Sequence, residues 1–223
     1  MSDETRELPL FPLQTLLFPG GTLPLHIFEP RYRAMLHACL AGDERFGVVL
    51  IAEGKEVGGP AVPYLTGTIA RIALAEPLAG GRYNLMTTGE RRFTIVRTWL
   101  DPAGYLVGQV RLRPELLDEE PARLAAMTDA LRATLHEYVG RLTDEAGPIQ
   151  EELARVTDPL RLAGVAASLL RGDATVRQRI LEDDSVPRRL QRLHALLRRE
   201  LRVLDLLARP TRAALQRDVI SPN

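Results

Sequence analysis

Up to residue 114 the apolar positions come either in short runs or in strict alternation. Residues 8–13, 23–28 and 46–52 are apolar stretches bounded by Gly, Pro or Asp, too short for stable helices, and they predict strands. A longer ribbon follows: residues 66–78, the turn "AGG", residues 82–100, the turn "DPAG" and residues 105–113. Thr68, Ala70, Ile72 and Leu74 alternate with their neighbours, as do Phe93, Ile95, Arg97 and Trp99, which is the period of a half-buried strand. Antiparallel strands joined by glycine-rich turns predict a hairpin meander curling into a small barrel. Gly67, Gly89 and Gly108 fall inside these strands, where glycine marks a bulge or tight bend. One helix interrupts: Pro30 sets φ in its first turn, and Tyr32, Met35, Leu36, Cys39 and Leu40 recur at helical spacing as far as Gly42.

After residue 115 the period lengthens to that of a helix. Leu124, Met127, Leu131, Leu135, Tyr138 and Leu142 share one face of a helix whose start carries Pro121 and acidic residues, which the helix dipole favours there. Asp158-Pro159 opens a second helix that stops at Gly172, and Asp173 caps a third. Ser185 opens the last, with Leu190, Leu193, Leu197, Leu201 and Leu204 on one side. Four helices are therefore expected. The change of period divides the chain into a β-rich part (1–114), a helical part (115–210) and a tail (211–223), with no flexible linker between the first two.

The most apolar stretch is also the richest in proline. Pro9, Pro12, Pro19 and Pro24 cannot donate to a ladder, so they predict edge strands, first positions or bulges, protected from register slip and from pairing with another chain. Pro19-Gly20-Gly21 reads as a turn.

Composition narrows the function classes. The 223 residues are 45% hydrophobic with a formal net charge of zero, so a core is affordable and a general attraction to nucleic acid or anionic membrane is not favoured. The first six residues and the final Ser-Pro-Asn are expected outside the packed body. A single cysteine, Cys39, permits no internal disulfide, and its apolar setting predicts a core residue over a nucleophile. There is no signal-peptide pattern and no window apolar enough to span a bilayer, so the expected compartment is the cytoplasm.

Catalytic signatures are missing. Lys55 is the only lysine among 29 basic residues, and it lies in "EGKEVGG" without the phosphate-cradling loop that nucleotide hydrolysis requires. There is no GxGxxG and no GxSxG. Ser2, Ser168, Ser185 and Ser221 suggest no Ser–Lys dyad. His26, His37, His136 and His194 make no metal spacing, and neither a metal nor a cofactor is expected. Residues 188–217 carry nine arginines against Glu200 and Asp205; such a helix suits RNA, a membrane surface or an acidic partner, or is simply a solvated face balanced by the acidic segment 115–187.

The run "LPLFPLQTLLFPGGTLPLHIFEPRYRAML" resembles the start of the LON domain, the N-terminal substrate-binding domain of ATP-dependent Lon proteases. Leu8-Pro9, Pro12-Leu13, Phe18-Pro19-Gly20, Leu23-Pro24-Leu25 and residues 28–32 carry the likeness. "GTIARI" from Gly67, "GRYNL" from Gly81, "TGERRF" ending at Arg92 and Phe93, and the final helix extend it over nearly the whole chain. The resemblance implies an α+β fold: a PUA-like six-stranded β pseudo-barrel with one inserted helix, followed by a C-terminal four-helix subdomain. It also implies a stand-alone, non-catalytic module that binds unfolded or extended polypeptide, works with a separate protease or ATPase and assembles as a homo-oligomer. A peptidase S16 label would then be inherited from the family. Phe28, Tyr32, Tyr64 and Trp99 are the candidate contacts, since aromatic anchors dominate such surfaces. Pro19, Gly20, Pro24, Glu29, Pro30, Arg31, Gly67, Gly89, Arg92 and Phe93 are read as architecture, with Glu29 and Arg31 pinning the strand-to-helix corner and Arg91 or Arg92 as their partner. PUA-like barrels also occur in RNA-modifying proteins, which makes RNA binding through the arginine-rich last helix the alternative.

Overall fold

The computed structural model describes residues 5–54, 61–143 and 146–208. Residues 1–4, Lys55 and the tail 211–223 lie outside the described residues. Six strands, β1 (Thr5–Leu13), β2 (Thr22–Ile27), β3 (Arg45–Gly54), β4 (Ala61–Leu78), β5 (Arg82–Leu100) and β6 (Leu106–Leu112), form one sheet. Helix α1 (Pro30–Leu40) separates β2 from β3. Thr5 and Arg6, expected outside the body, begin β1 and pair with Arg111 and Val110.

The strands from β3 to β6 make the expected antiparallel meander. β1 closes it into a ring by running parallel to β3 and antiparallel to β6. Among the described residues β2 stays outside that ring and pairs with β5 alone. Pro24 therefore sits on an edge strand, as its missing N–H requires. Pro9 and Pro12 do not lie on an edge strand, because β1 is shared between β6 and β3. Its first half pairs only with β6 (Pro9 opposite Val107) and its second only with β3 (Pro12 opposite Val49), so each proline has one unpaired side to turn its nitrogen toward.

A closed ring of five strands has a narrow lumen, filled by Leu8, Leu10, Val49, Ile69, Phe93, Ile95 and Val110. Glycines make the room. A Cβ on Gly47 or Gly67 would stand 2.7 Å from the Phe93 ring, and one on Gly108 would stand 2.7 Å from Leu10. Helix α1 covers the outer face of β1 with Tyr32, Met35, Leu36 and Cys39, which pack on Phe11, Leu13 and Phe46.

Five helices follow: α2 (Pro121–Leu142), α3 (Gly147–Arg155), α4 (Pro159–Leu169), α5 (Ala174–Leu181) and α6 (Val186–Ala208). Asp158 and Asp173 cap α4 and α5 as expected, accepting hydrogen bonds from Leu160 N and Thr175 N. The extra helix is α3. It has nine residues and buries only Leu153, too little to show a helical period in sequence. The leucines of α6 enter one core with Leu131, Leu135, Tyr138 and the small residues Ala163, Ala166 and Ala167 of α4.

Among the contacts that bind the ring to the helices are a turn, on which Gly164 of α4 sits, and a buried arginine. The Pro19-Gly20-Gly21 turn lies against β5, where Gly20 N donates to Gly89 O at 2.8 Å and Gly89 N donates to Gly21 O at 2.9 Å. The other is Arg92, whose side chain is wholly buried. Its Nε donates to Glu115 Oε1 at 2.7 Å, and its Nη1 to the carbonyls of Leu181 and Asp183 at 2.8 and 3.0 Å. Its Nη2 reaches Pro114 O and Asp184. Arg113 adds bonds to Asp184 and to Glu182 O, and Arg189 shares Glu115. These cations sit at the C-terminal end of α5, where bare carbonyls and the dipole favour positive charge. Arg92 thus does not partner Glu29, as the sequence reading had it.

Candidate functional site

The structure scatters the four candidate aromatics. Tyr32 is buried, its ring 4.2 Å from that of Phe11 and under the Arg31 guanidinium at 4.5 Å. Tyr64 is half-buried against the helical core. Trp99 is half-buried near the end of β5, with Arg97 5.3 Å from its ring. Phe28 alone is open to solvent, at 48% exposure, and stacks on His26 with centroids 6.0 Å apart.

Around Phe28 the sheet presents an apolar surface. Along β2, Leu23, Leu25 and Ile27 turn inward, while Thr22, Pro24, His26 and the following Phe28 turn out. On β5, Leu85 and Thr87 turn in while Asn84 and Met86 turn out. Register places Pro24 beside Met86 and Met86 beside Leu74, so three apolar side chains form a row across three strands. The next row is polar: His26 beside Asn84, with Nδ1 and Oδ1 2.9 Å apart, and Asn84 beside Glu76. Together they line a shallow groove of about 420 Å³ next to the unpaired edge of β2.

Leu74 reaches this face through an irregularity. Strict alternation with Ile72 would turn it inward. A register shift between Ile72 and Leu74 sends it outward, to 60% exposure. The same device between Ile95 and Arg97 ends the inward run of β5 before Trp99. Sequence reasoning missed Leu74 for that reason. Met86 carried a signal, an apolar residue on the polar phase of "YNLMTT".

Glu29 and Arg31 do mark the strand-to-helix corner, but they pair with each other, Arg31 Nε donating to Glu29 Oε2 at 3.1 Å. They line a second groove, of about 750 Å³, with Leu100 and Gly104.

The potential nucleophiles are occupied in structural roles. Ser168 Oγ donates to Gly164 O within α4. Ser185 Oγ donates to Asp118 at 2.8 Å. Burial, with a smaller push from Asp43, raises the Cys39 thiol to about 12. Among the described residues no three His, Cys, Asp or Glu side chains are grouped to hold a metal ion, and no helix is long and apolar enough to cross a membrane. Half of the described arginines of α6 are engaged: Arg188 and Arg192 with Asp183, and Arg189 with Glu115.

Residues 7–199 match the family described as the ATP-dependent protease La (LON) substrate-binding domain. A Lon protease 2 of Herpetosiphon aurantiacus is 30% identical over 91% of the chain, and one of Myxococcus xanthus is 27% identical over 92%. The chain spans about 25% of the length of each. A crystal structure of a Lon N-terminal domain protein from Xanthomonas campestris superposes with a TM-score of 0.63 at 29% identity, covering 85% of this chain and 98% of that one. The N-terminal domain of a Mycobacterium avium complex Lon protease shares the fold, with a TM-score of 0.69 at 24% identity over 86% of this chain and 98% of its own.

Proposed function

The chain belongs to the ATP-dependent protease La (LON) substrate-binding domain family, and on that premise we propose that it holds unfolded or extended polypeptide segments on the outer face and free edge of β2. The observation that carries this reading is the Pro24–Met86–Leu74 row lying beside an unpaired strand edge. A client strand added to β2 gains main-chain hydrogen bonds that do not depend on its sequence from the positions around Pro24, which itself offers no N–H and so limits how long a pairing the edge accepts. Its alternate side chains then meet Met86, whose flexible thioether adapts to many shapes, with Leu74, Pro24 and Phe28 around it. Binding without sequence choice but with a preference for exposed apolar chain is what such a face supplies. No chemical step is assigned to the chain's own residues; cleavage or ATP-driven transport of a held client falls to protease and ATPase modules, in the same polypeptide or a separate one. RNA binding through α6 has weaker support, because Arg188, Arg189 and Arg192 are already neutralised.

Fluorescence anisotropy with reduced, carboxymethylated α-lactalbumin against the native protein tests this reading. The unfolded form should bind, and Met86→Asp with Leu74→Asp should weaken binding about tenfold, as loss of a central apolar contact does. Equal binding of both client forms, or an unchanged affinity in the double variant, defeats the proposal.

A further inference from the structure

The helical half holds a second concave surface, far from β2 in sequence and different in charge. It is a groove of about 510 Å³ between the end of α2, the α4–α5 connection, α5 and the last turns of α6. Its walls are apolar, with Leu142, Leu170, Val176 and Val203 among them, and Arg171, Arg177 and Arg199 stand around it. Among the described residues none of these three arginines makes a salt bridge, and Arg177 Nε is buried without a hydrogen-bond partner. The two carboxylates of the groove are already served. Glu200 accepts from the Tyr138 hydroxyl, and Asp173 caps α5 through Thr175 N at 2.8 Å.

We infer that this groove docks an acidic amphipathic helix of a partner polypeptide. The length of the apolar surface favours a helix over a compact ligand. Val203, 49% exposed, and Leu206, 66% exposed, continue the stripe along α6 at the spacing of one helix face. A helix laid beside α6 covers them with residues at i, i+3, i+4 and i+7 and keeps its carboxylates at the rim. Charge decides the sign of the partner. Residues 209–223 of the chain carry Arg209, Arg212 and Arg217 against Asp218, a charge of the same sign as the rim and not its complement. A second copy of α6 brings Arg198, Arg199 and Arg202 and is repelled as well. Carboxylates from elsewhere are the complement, and an arginine with an unused donor is suited to take one in a charge-assisted bond.

The probe is a fluorescein-labelled acidic peptide of about 18 residues, long enough to form a helix on binding, with Leu at the four seam positions and Glu on the flanks. A scrambled peptide of the same composition, a version with Lys for Glu, laurate and an oligouridylate serve as comparisons. The acidic helix should bind about tenfold more tightly than the scrambled and Lys peptides, as expected where rim charges select the partner. R171E with R199E should reverse the order of the acidic and Lys peptides, a gain of binding that an unfolded variant cannot show. V203D should weaken the acidic peptide about tenfold, while M86D leaves it unchanged, which separates this surface from the one on β2. The inference is overturned by equal binding of acidic and Lys peptides. It is also overturned by laurate or oligouridylate binding with the same arginine dependence in place of the peptide, or by no change of order in the charge-reversed variant.

Discussion

Gly164 in α4 lies so close to Pro19 that a Cβ placed on it would stand 1.8 Å from the Pro19 carbonyl oxygen. The helix is seated directly on the backbone of the Pro19-Gly20-Gly21 turn, whose Gly20 adopts a φ of +77°. Gly164→Ala must push α4 off that turn. The expected loss is about 1–3 kcal/mol, the range of an overpacked core, read as a lower urea midpoint with an unchanged slope. Gly147→Ala is the control. A Cβ there meets nothing within 4 Å, so the replacement should be neutral or stabilising by up to about 1 kcal/mol in a helix.

Arg92 should be among the most costly side chains to remove. Replacing it with Met leaves the carbonyls of Leu181, Asp183 and Pro114 without these donors and Glu115 with Arg189 alone. Breaking a buried pair from one side costs about 3–5 kcal/mol, visible as a large drop in melting temperature. Arg92→Lys should recover only part of it, because a single ammonium cannot span acceptors arranged around a planar fork.

Acid should loosen the connection between α5 and the start of α6. Asp183 meets Arg188 at 2.9 Å and Arg192 at 3.2 Å and accepts from Ser185 N at 3.1 Å. Burial is the largest single influence on its carboxyl and raises it. The hydrogen bonds from Arg188 and the Ser185 amide, with the charges of both arginines, together outweigh burial and hold the carboxyl below its ordinary value. A depressed folded value means the contribution is complete above the unfolded aspartate value of about 3.9 and is lost as pH falls through the folded one. The melting temperature of the native protein should therefore fall more steeply below about pH 4 than that of Asp183→Asn, the two curves converging in acid.

Cys39 should be silent until the fold opens. With the thiol raised to about 12, its thiolate is scarcer than that of a free cysteine by about a thousandfold at pH 8, and burial blocks access as well. Alkylation by N-ethylmaleimide, followed by mass spectrometry, should be slow in buffer and complete within minutes in concentrated urea. Rapid labelling of the folded protein would show that α1 lifts from the ring.

Much of the fold is legible in the chain because its signals are local. The meander follows from alternation and glycine turns, α1 from Pro30 and the spacing of Tyr32 to Cys39, and α4 from Asp158-Pro159. Features set by distant partners are not. Nothing in the sequence near Pro9 or Pro12 shows that β1 is shared between β3 and β6, and nothing near Arg92 names Glu115 as its acceptor. The site suffers most, since Leu74 turns outward only because β4 slips register against β5 after Ile72. Aromatic content likewise selected Tyr32, which the structure spends on Phe11. Of the four candidate contacts, Phe28 stands beside the exposed row.

The position of β2 outside the strand ring has a consequence for how the fold bears mechanical load. Peeling β2 from β5 opens no path to Leu10 and Phe93, because β1 keeps the cylinder sealed without it. A pull on this strand falls first on Leu23, Leu25 and Ile27 and on the cluster they share with α1 and with Phe11, Leu13, Phe46 and Ile72 of the ring. Load on β2 is therefore taken up by the outer cluster and by the Pro19-Gly20-Gly21 turn before it reaches the lumen.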